Sequence, residues 1–276
     1  MTKFAGRTVF ISGAGSGIGY QTALHFAKAG ARIVATDIQQ SGLDALRQEI
    51  EQSGGACRTA ILNVTDESAT EVLVEELQAS QCLPDIAVNN AGIVYVMPFL
   101  ETETEVWRKT LDVNVMGVVI GSQVFAQAWQ KAGIKGHLVN VSSMVSVMPQ
   151  PSLSAYVASK YAVEGMCESL AIELKALGID VTCIHPGVIN TPIIGNPSMV
   201  KMSEAQFEAL KHHYETDGIS PAEVGKAIVE ATYRKKTNAF IGPQTGIAVL
   251  MKRFLPRTWF RALIENTARR IGYIPR

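Results

Sequence analysis

The chain has 276 residues, of which 47% are hydrophobic and 18% charged, a balance that predicts one globular body with a buried core and little extended disorder. Lys plus Arg equals Asp plus Glu at 25 each, so no overall basic excess points to nucleic acid. Cys57, Cys82, Cys167 and Cys183 are too scattered for a zinc pair or a disulfide framework and read as reduced packing residues, with no metal implied. No charged stretch and apolar cleavage segment opens the chain, and no long apolar run follows, so a soluble, cytoplasmic protein is expected.

Short runs rich in Val, Ile and Ala at 8–12, 32–36, 56–62, 85–89, 137–142 and 180–185 read as strands. Between them, residues about 17–29, 41–53, 66–79, 102–132 and 154–177 carry apolar positions at three-to-four spacing and read as helices. Residues 190–215 break this rhythm with Thr191-Pro192, Gly195 and Pro197 and predict a lid rather than a strand. Ser220-Pro221 supplies a cap and first-turn pair for one more helix, and a short strand near Phe240 closes the series. Alternation of this kind, with right-handed crossovers, predicts a single α/β domain: a Rossmann-like doubly wound parallel sheet of about seven strands with helices on both faces. Residues 1–245 would form the dinucleotide-binding and catalytic domain and 246–276 a basic, amphipathic helical extension.

Directly after the first strand stands Gly13-Ala14-Gly15-Ser16-Gly17-Ile18-Gly19, and a helical pattern begins at Tyr20. Glycines allow a tight turn and a close approach to a pyrophosphate, whose charge the helix N-terminus favours. Asp37 ends the second strand about twenty residues later, where a carboxylate accepts hydrogen bonds from an adenosine ribose and repels a 2′-phosphate. Neither Ser16 nor Ile38 supplies the positive charge that a 2′-phosphate needs, so the cofactor expected is NAD rather than NADP.

Tyr156 and Lys160 lie one turn apart on a helix, so both side chains share a face. A nearby ammonium stabilises a phenolate, and the expectation is a tyrosine of lowered pKa that gives and takes a proton. Ser142 and Ser143 follow the fifth strand, at the carboxyl end of the sheet where ligands of doubly wound folds bind, and either could hold a substrate oxygen or cap a turn.

Together these residues resemble the classical short-chain dehydrogenase/reductase family, from about Arg7 to Phe240. Gly13, Gly17 and Gly19 match its T-G-x-x-x-G-x-G turn, with Ser12 in place of the usual threonine. Asn89-Asn90-Ala91-Gly92 matches its N-N-A-G motif, which supports the sheet and the cofactor ribose; Asn63 and Val64 stand where the family contacts adenine, the former usually an aspartate. The resemblance implies that Asn114 holds a water of a proton relay, that Ser143, thirteen residues before Tyr156, orients the substrate oxygen, and that Lys160 binds the nicotinamide ribose. Ile189 and Thr191 of Pro186-Gly187-Val188-Ile189-Asn190-Thr191 would hold the nicotinamide carboxamide, and Ser146 replaces a frequent glycine. The activity implied is interconversion of a secondary alcohol and a ketone by hydride transfer, in a homodimer or homotetramer built on helices 102–132 and 154–177.

Met97, Met144, Val145, Val147, Met148 and Leu153 are candidate pocket residues, with Met144, Ser143 and Tyr156 nearest the substrate. Their apolar character favours a steroid, a retinoid, or a long-chain or aromatic alcohol. In the tail, Leu250 with Phe254 and Phe260 with Leu263 and Ile264 form apolar stripes on two short helices split at Pro256, and Lys252, Arg253, Arg257, Arg261, Arg269, Arg270 and Arg276 oppose only Glu265. Such a segment suits packing on its own domain or a subunit, or peripheral contact with an anionic membrane. Two other functions stay open: an NAD-binding sensor without turnover and an NADP-dependent carbonyl reductase.

Overall fold

A computed structural model describes residues 2–190, 199–243 and 245–274. Seven parallel strands form one sheet in the order β3-β2-β1-β4-β5-β6-β7, with β1 at Thr8–Ser12, β2 at Arg32–Asp37, β3 at Cys57–Ile61, β4 at Ile86–Asn89, β5 at His137–Val141, β6 at Asp180–Pro186 and β7 at Asn238–Ile241. The central sequences TVFIS, IAVN and HLVNV are buried at every position because helices cover both faces. Pleating divides their side chains between two cores. Val9 and Ile11 face one core with Phe26, Leu43 and Ile228, whereas Phe10 faces the other with Leu77, Phe125 and Trp129.

The first core is covered by α1 (Gly17–Lys28), α2 (Gln40–Gln52) and α8 (Pro221–Tyr233). A Cβ on Gly225 of α8 would stand 2.7 Å from the Gln21 carbonyl carbon of α1, so glycine lets these helices meet backbone to backbone. Ser220 and Glu223 close a capping box at the start of α8, with Pro221 in its first turn. The second core lies under α3 (Glu67–Ala79), α5 (Gly117–Ala132) and α6 (Ser154–Glu173).

The predicted 102–132 helix is instead α4 (Thr104–Leu111), a π-helical turn at Asp112–Met116, and α5. By length and composition this run could cross a bilayer, yet half of it is buried, and Phe125 and Trp129 seat it on the sheet. The predicted 56–62 strand is shorter, and its edge position leaves Arg58 and Ile61 exposed.

Beyond the sheet, α7 (Glu204–Asp217), α9 (Thr245–Phe254) and α10 (Arg257–Ile271) complete the chain, with Pro256 between the last two. Leu210 of α7 packs with Ala268 and Ile271 of α10 and with Val94, Val96 and Leu153 in a third, smaller core above the carboxyl end of the sheet. Gly272 (φ +95°) turns the chain out of α10 where a Cβ would lie 2.7 Å from the Gln206 carbonyl oxygen.

Candidate active site

Strand order reverses between β1 and β4, and the glycine turn opens there, at the carboxyl ends of the strands. Gly13 (φ +64°) leaves no room for a Cβ, which would stand 2.8 Å from Ala91 Cα, and a Cβ on Gly19 would strike the Gly13 carbonyl oxygen at 2.1 Å. Ser12 Oγ accepts from the amides of Asn90 (3.1 Å) and Ala91 (3.2 Å), so serine serves where threonine is usual. The Asn90 side-chain amide donates to the carbonyls of Ser12 (3.0 Å) and Gly13 (3.1 Å). Those donors are committed to shaping the turn, and Asn90 also lines the cavity beside it. Asn89 lies beneath, donating to Asn140 Oδ1 at 2.8 Å inside the sheet.

Asp37 reaches back to this turn: Gly15 N donates to its Oδ2 at 2.9 Å and Gln39 N to its Oδ1 at 3.0 Å. Ser16 precedes α1 without capping it through its side chain, leaving the hydroxyl and first-turn amides facing the same cavity as Gly17 and Ile18. Asn63 and Val64 line the cavity farther on; Gly117 makes room for Val64, since a Cβ there would come within 2.7 Å of it. Ile189 lines the opposite wall, and the predicted contact of Thr191 lies outside the described residues. The cavity measures about 1340 Å³ and runs from the turn to Tyr156 and Lys160. A glycine cradle, a helix N-terminus and a carboxylate at the end of β2, all lining one cavity, suit a nicotinamide dinucleotide.

At the catalytic end, Ser142 donates to the Lys160 carbonyl at 2.8 Å and ties β5 to α6. Ser143 is instead hydrogen-bonded to the side chain of Tyr156 and caps a single 3-10 turn, Met144–Ser146. Burial pushes the Tyr156 phenol up to about 12, with Ser143 opposing and Tyr214 reinforcing the rise. Lys160 Nζ lies 5.5 Å from the centre of the Tyr156 ring and donates to the Val141 carbonyl at 2.9 Å. Burial lowers its pKa to about 8, against the pull of the nearby Cys183 and Cys167. The expected lowering of the tyrosine pKa is therefore not found: loss of water dominates at both groups.

Asn114 is fully buried in the π-helical turn. Its Oδ1 accepts from Ile93 N (2.8 Å), and its Nδ2 donates to the Ile93 carbonyl (2.9 Å) and Ser159 Oγ (3.0 Å). The side chain braces the loop after β4 against α6, with both of its amide hydrogens in use. Ser146 Oγ donates to the Ser143 carbonyl at 2.6 Å and meets His185 Nδ1 at 3.2 Å, so this replacement of a frequent glycine fastens the Ser143 turn to β6.

Met144, Val145, Met148 and Leu153 line the substrate side of the cavity. Met97 and Val147 do not: both are buried in packing, and Met97 N is bonded to the Ser152 carbonyl. The sequence reading missed the upper wall. His213 and Tyr214 of α7, Thr267 and Arg270 of α10, and Tyr273 beyond it all line the cavity. The Tyr214 and Tyr273 hydroxyls are 3.0 Å apart; Tyr214 helps to raise Tyr156, and Tyr156 in turn helps to raise Tyr273. No local spacing marks this pair, because its members come from segments that meet only in the folded chain.

Residues 7–199 match the family described as short chain dehydrogenase. A probable oxidoreductase, EphD, of Mycobacterium tuberculosis is 36% identical over 272 residues, 96% of this chain but 45% of that protein, so the chain spans about half the length of this relative. A glucose 1-dehydrogenase of Gluconobacter oxydans is 34% identical over 76% of this chain and 79% of its own. In fold, the chain is similar to a short chain dehydrogenase/reductase from Burkholderia phymatum crystallised with NAD, with TM-score 0.81, 24% identity, and coverage of 95% of this chain and 96% of that one.

Proposed function

The chain belongs to the short-chain dehydrogenase family, and from that premise we propose that it is an oxidoreductase that uses NAD to interconvert a lipophilic secondary alcohol and its ketone. The observation that carries the cofactor choice is the Asp37 carboxylate, held 2.9 Å from Gly15 N at the lip of the glycine turn. A ribose with free hydroxyls can donate to it, whereas a 2′-phosphate would meet like charge. The lipophilic substrate is inferred from Met144, Val145, Met148, Leu153 and Ile271 around Tyr156. We assign the enzyme to the cytoplasm as a homodimer or homotetramer that pairs through α5 and α6.

When bound, the nicotinamide accepts a hydride from the carbinol carbon or returns one to the carbonyl carbon. At neutral pH Tyr156, at about 12, keeps its proton and presents it to a carbonyl oxygen as the hydride arrives. Ser143, which is hydrogen-bonded to the Tyr156 side chain, holds that oxygen beside it. Lys160, at about 8, changes protonation near neutral pH and restores the proton to Tyr156. In oxidation the same path runs backwards, with Tyr156 taking the alcohol proton. Asn114 acts through the backbone it fixes at Ile93 and the hydroxyl it holds at Ser159.

The test is the formation of reduced nicotinamide by purified protein, with NAD against NADP, over steroid, retinoid, aromatic, aliphatic and sugar alcohols. The expected result is NAD-linked oxidation of a bulky apolar alcohol, with Asp37→Ala shifting preference toward NADP by roughly tenfold or more. Preference for NADP in the unaltered protein would overturn the Asp37 argument. Better turnover of sugar alcohols, the direction suggested by the glucose 1-dehydrogenase relative, would overturn the pocket argument. Tight NAD binding without any turnover would move the assignment to a sensor.

A further inference from the structure

The two tail helices differ in what becomes of their apolar sides. On α10, Ile264, Ala268 and Ile271 are buried, the last two against Leu210 of α7. On α9, Thr245 and Ala248 face the body, and Lys252 Nζ reaches the Ser146 carbonyl (2.8 Å) and the Tyr161 hydroxyl (3.0 Å) from the same side. Ile247, Leu250 and Phe254 recur at intervals of three and four on the opposite side, exposed by 60%, 57% and 74%. Trp259, 69% exposed, follows just past the turn at Pro256.

Charge accompanies this face. Residues 246–276 hold seven basic side chains and one acid, while the remainder of the neutral chain holds 18 basic and 24 acidic. Glu265, that one acid, is already bonded to Arg269 at 2.8 Å. The Arg253 guanidinium lies 5.7 Å from the centre of the Phe254 ring, so cation and aromatic ring are presented together. A two-fold contact between copies would set each such cation-rich patch against its own image, which repels. An anionic bilayer instead offers phosphates to arginines and an acyl boundary to Leu, Phe and Trp side chains at one depth.

We propose that the outer face of α9, with the turn into α10, docks the protein peripherally on an anionic phospholipid surface. Docking there would set the cavity beside the lipid, because Ala248 of α9 and Thr267 and Arg270 of α10 also line it. Delivery of a lipophilic alcohol from the bilayer rests on the proposed function; the docking itself does not.

The experiment is co-sedimentation with phosphatidylcholine vesicles, with and without phosphatidylglycerol, at low and high salt. Two variants, Arg253→Glu/Arg257→Glu and Phe254→Ser/Trp259→Ser, accompany the unaltered protein, and circular dichroism and gel filtration check that each folds. All four positions are exposed and none lines the cavity. The unaltered protein should pellet only with the anionic vesicles and be released by salt, and each variant should lose at least about tenfold in partitioning. Failure to pellet, pelleting indifferent to phosphatidylglycerol, or variants that pellet like the parent would overturn the proposal. So would an oligomer that Phe254→Ser/Trp259→Ser dissociates, since a second copy would then cover the face.

Discussion

The two ends of the cavity are built differently. At the cofactor end the shape is main chain: glycines without Cβ atoms, a serine and an asparagine spent on backbone groups, and one carboxylate holding an amide. At the substrate end it is side chain: methionines from the turn after β5, tyrosines from α7 and from beyond α10, and an arginine of α10. A wall of main chain recognises what every substrate shares, the cofactor, while a wall of side chains borrowed from distant segments can change without disturbing it. Tyr156 and Lys160 line the cavity between the two.

Variants should respect this division. The largest effect belongs to the junction: Tyr156→Phe should lower turnover roughly 10²–10⁴-fold on every substrate while NAD titration shows binding retained. Near-normal activity would remove the tyrosine from the chemistry. Next is Gly19→Ala, whose Cβ must push Gly13 away from 2.1 Å. It should cost roughly 1–3 kcal/mol in thermal unfolding and weaken NAD binding, raising the cofactor KM equally with all alcohols. A substrate-selective effect would break the division.

Lys160 gives a pH signature. Its native pKa of about 8 lies below its ordinary 10.5, so between those values the unfolded chain carries a proton that the native one has shed. The contribution of Lys160 to the stability of the cofactor-free protein should therefore rise across that window, by about 1 kcal/mol per pH unit, and be complete above it. Chemical denaturation of the parent and Lys160→Met through the window measures it, and parallel curves would count against the burial argument. The smallest effect belongs to the far wall. Tyr273→Phe or Tyr214→Phe removes one hydroxyl of a pair and should cost about 1 kcal/mol, read as a roughly fivefold rise in the alcohol KM with kcat kept. Here an unequal effect across substrates is the expected result, and a uniform loss of kcat would assign the pair to the relay.

The same division explains what was legible in the sequence. The strands around β1 and β4 and the turn after β1 depend on neighbours in the chain, and Gly13, Gly19 and Asp37 stand where the motif puts them. Asn114 was found by resemblance alone, and the use of its side chain as a brace was hidden because Ser159 comes from another helix and Ile93 from a loop. The pKa of Tyr156 was read in the wrong direction because spacing reveals a partner and not the water lost around it. Met97 and Val147 looked like Met144 and Val145 in composition, and only packing separates them. Nothing near Tyr214 or Tyr273 announces that they meet.

The close crossing of α1 and α8 at Gly225 also bears on the order in which the protein comes into being. The amides that would receive a pyrophosphate belong to α1, near the start of the chain, yet the helix that steadies α1 comes after six of the seven strands. A chain leaving the ribosome presents the glycine motif long before it can hold it still. Contacts so distant in sequence slow folding, and a ligand that grips only the finished turn draws the chain toward its native state by mass action. In a cell, the supply of cofactor would then govern how much of this protein matures as well as how fast it works.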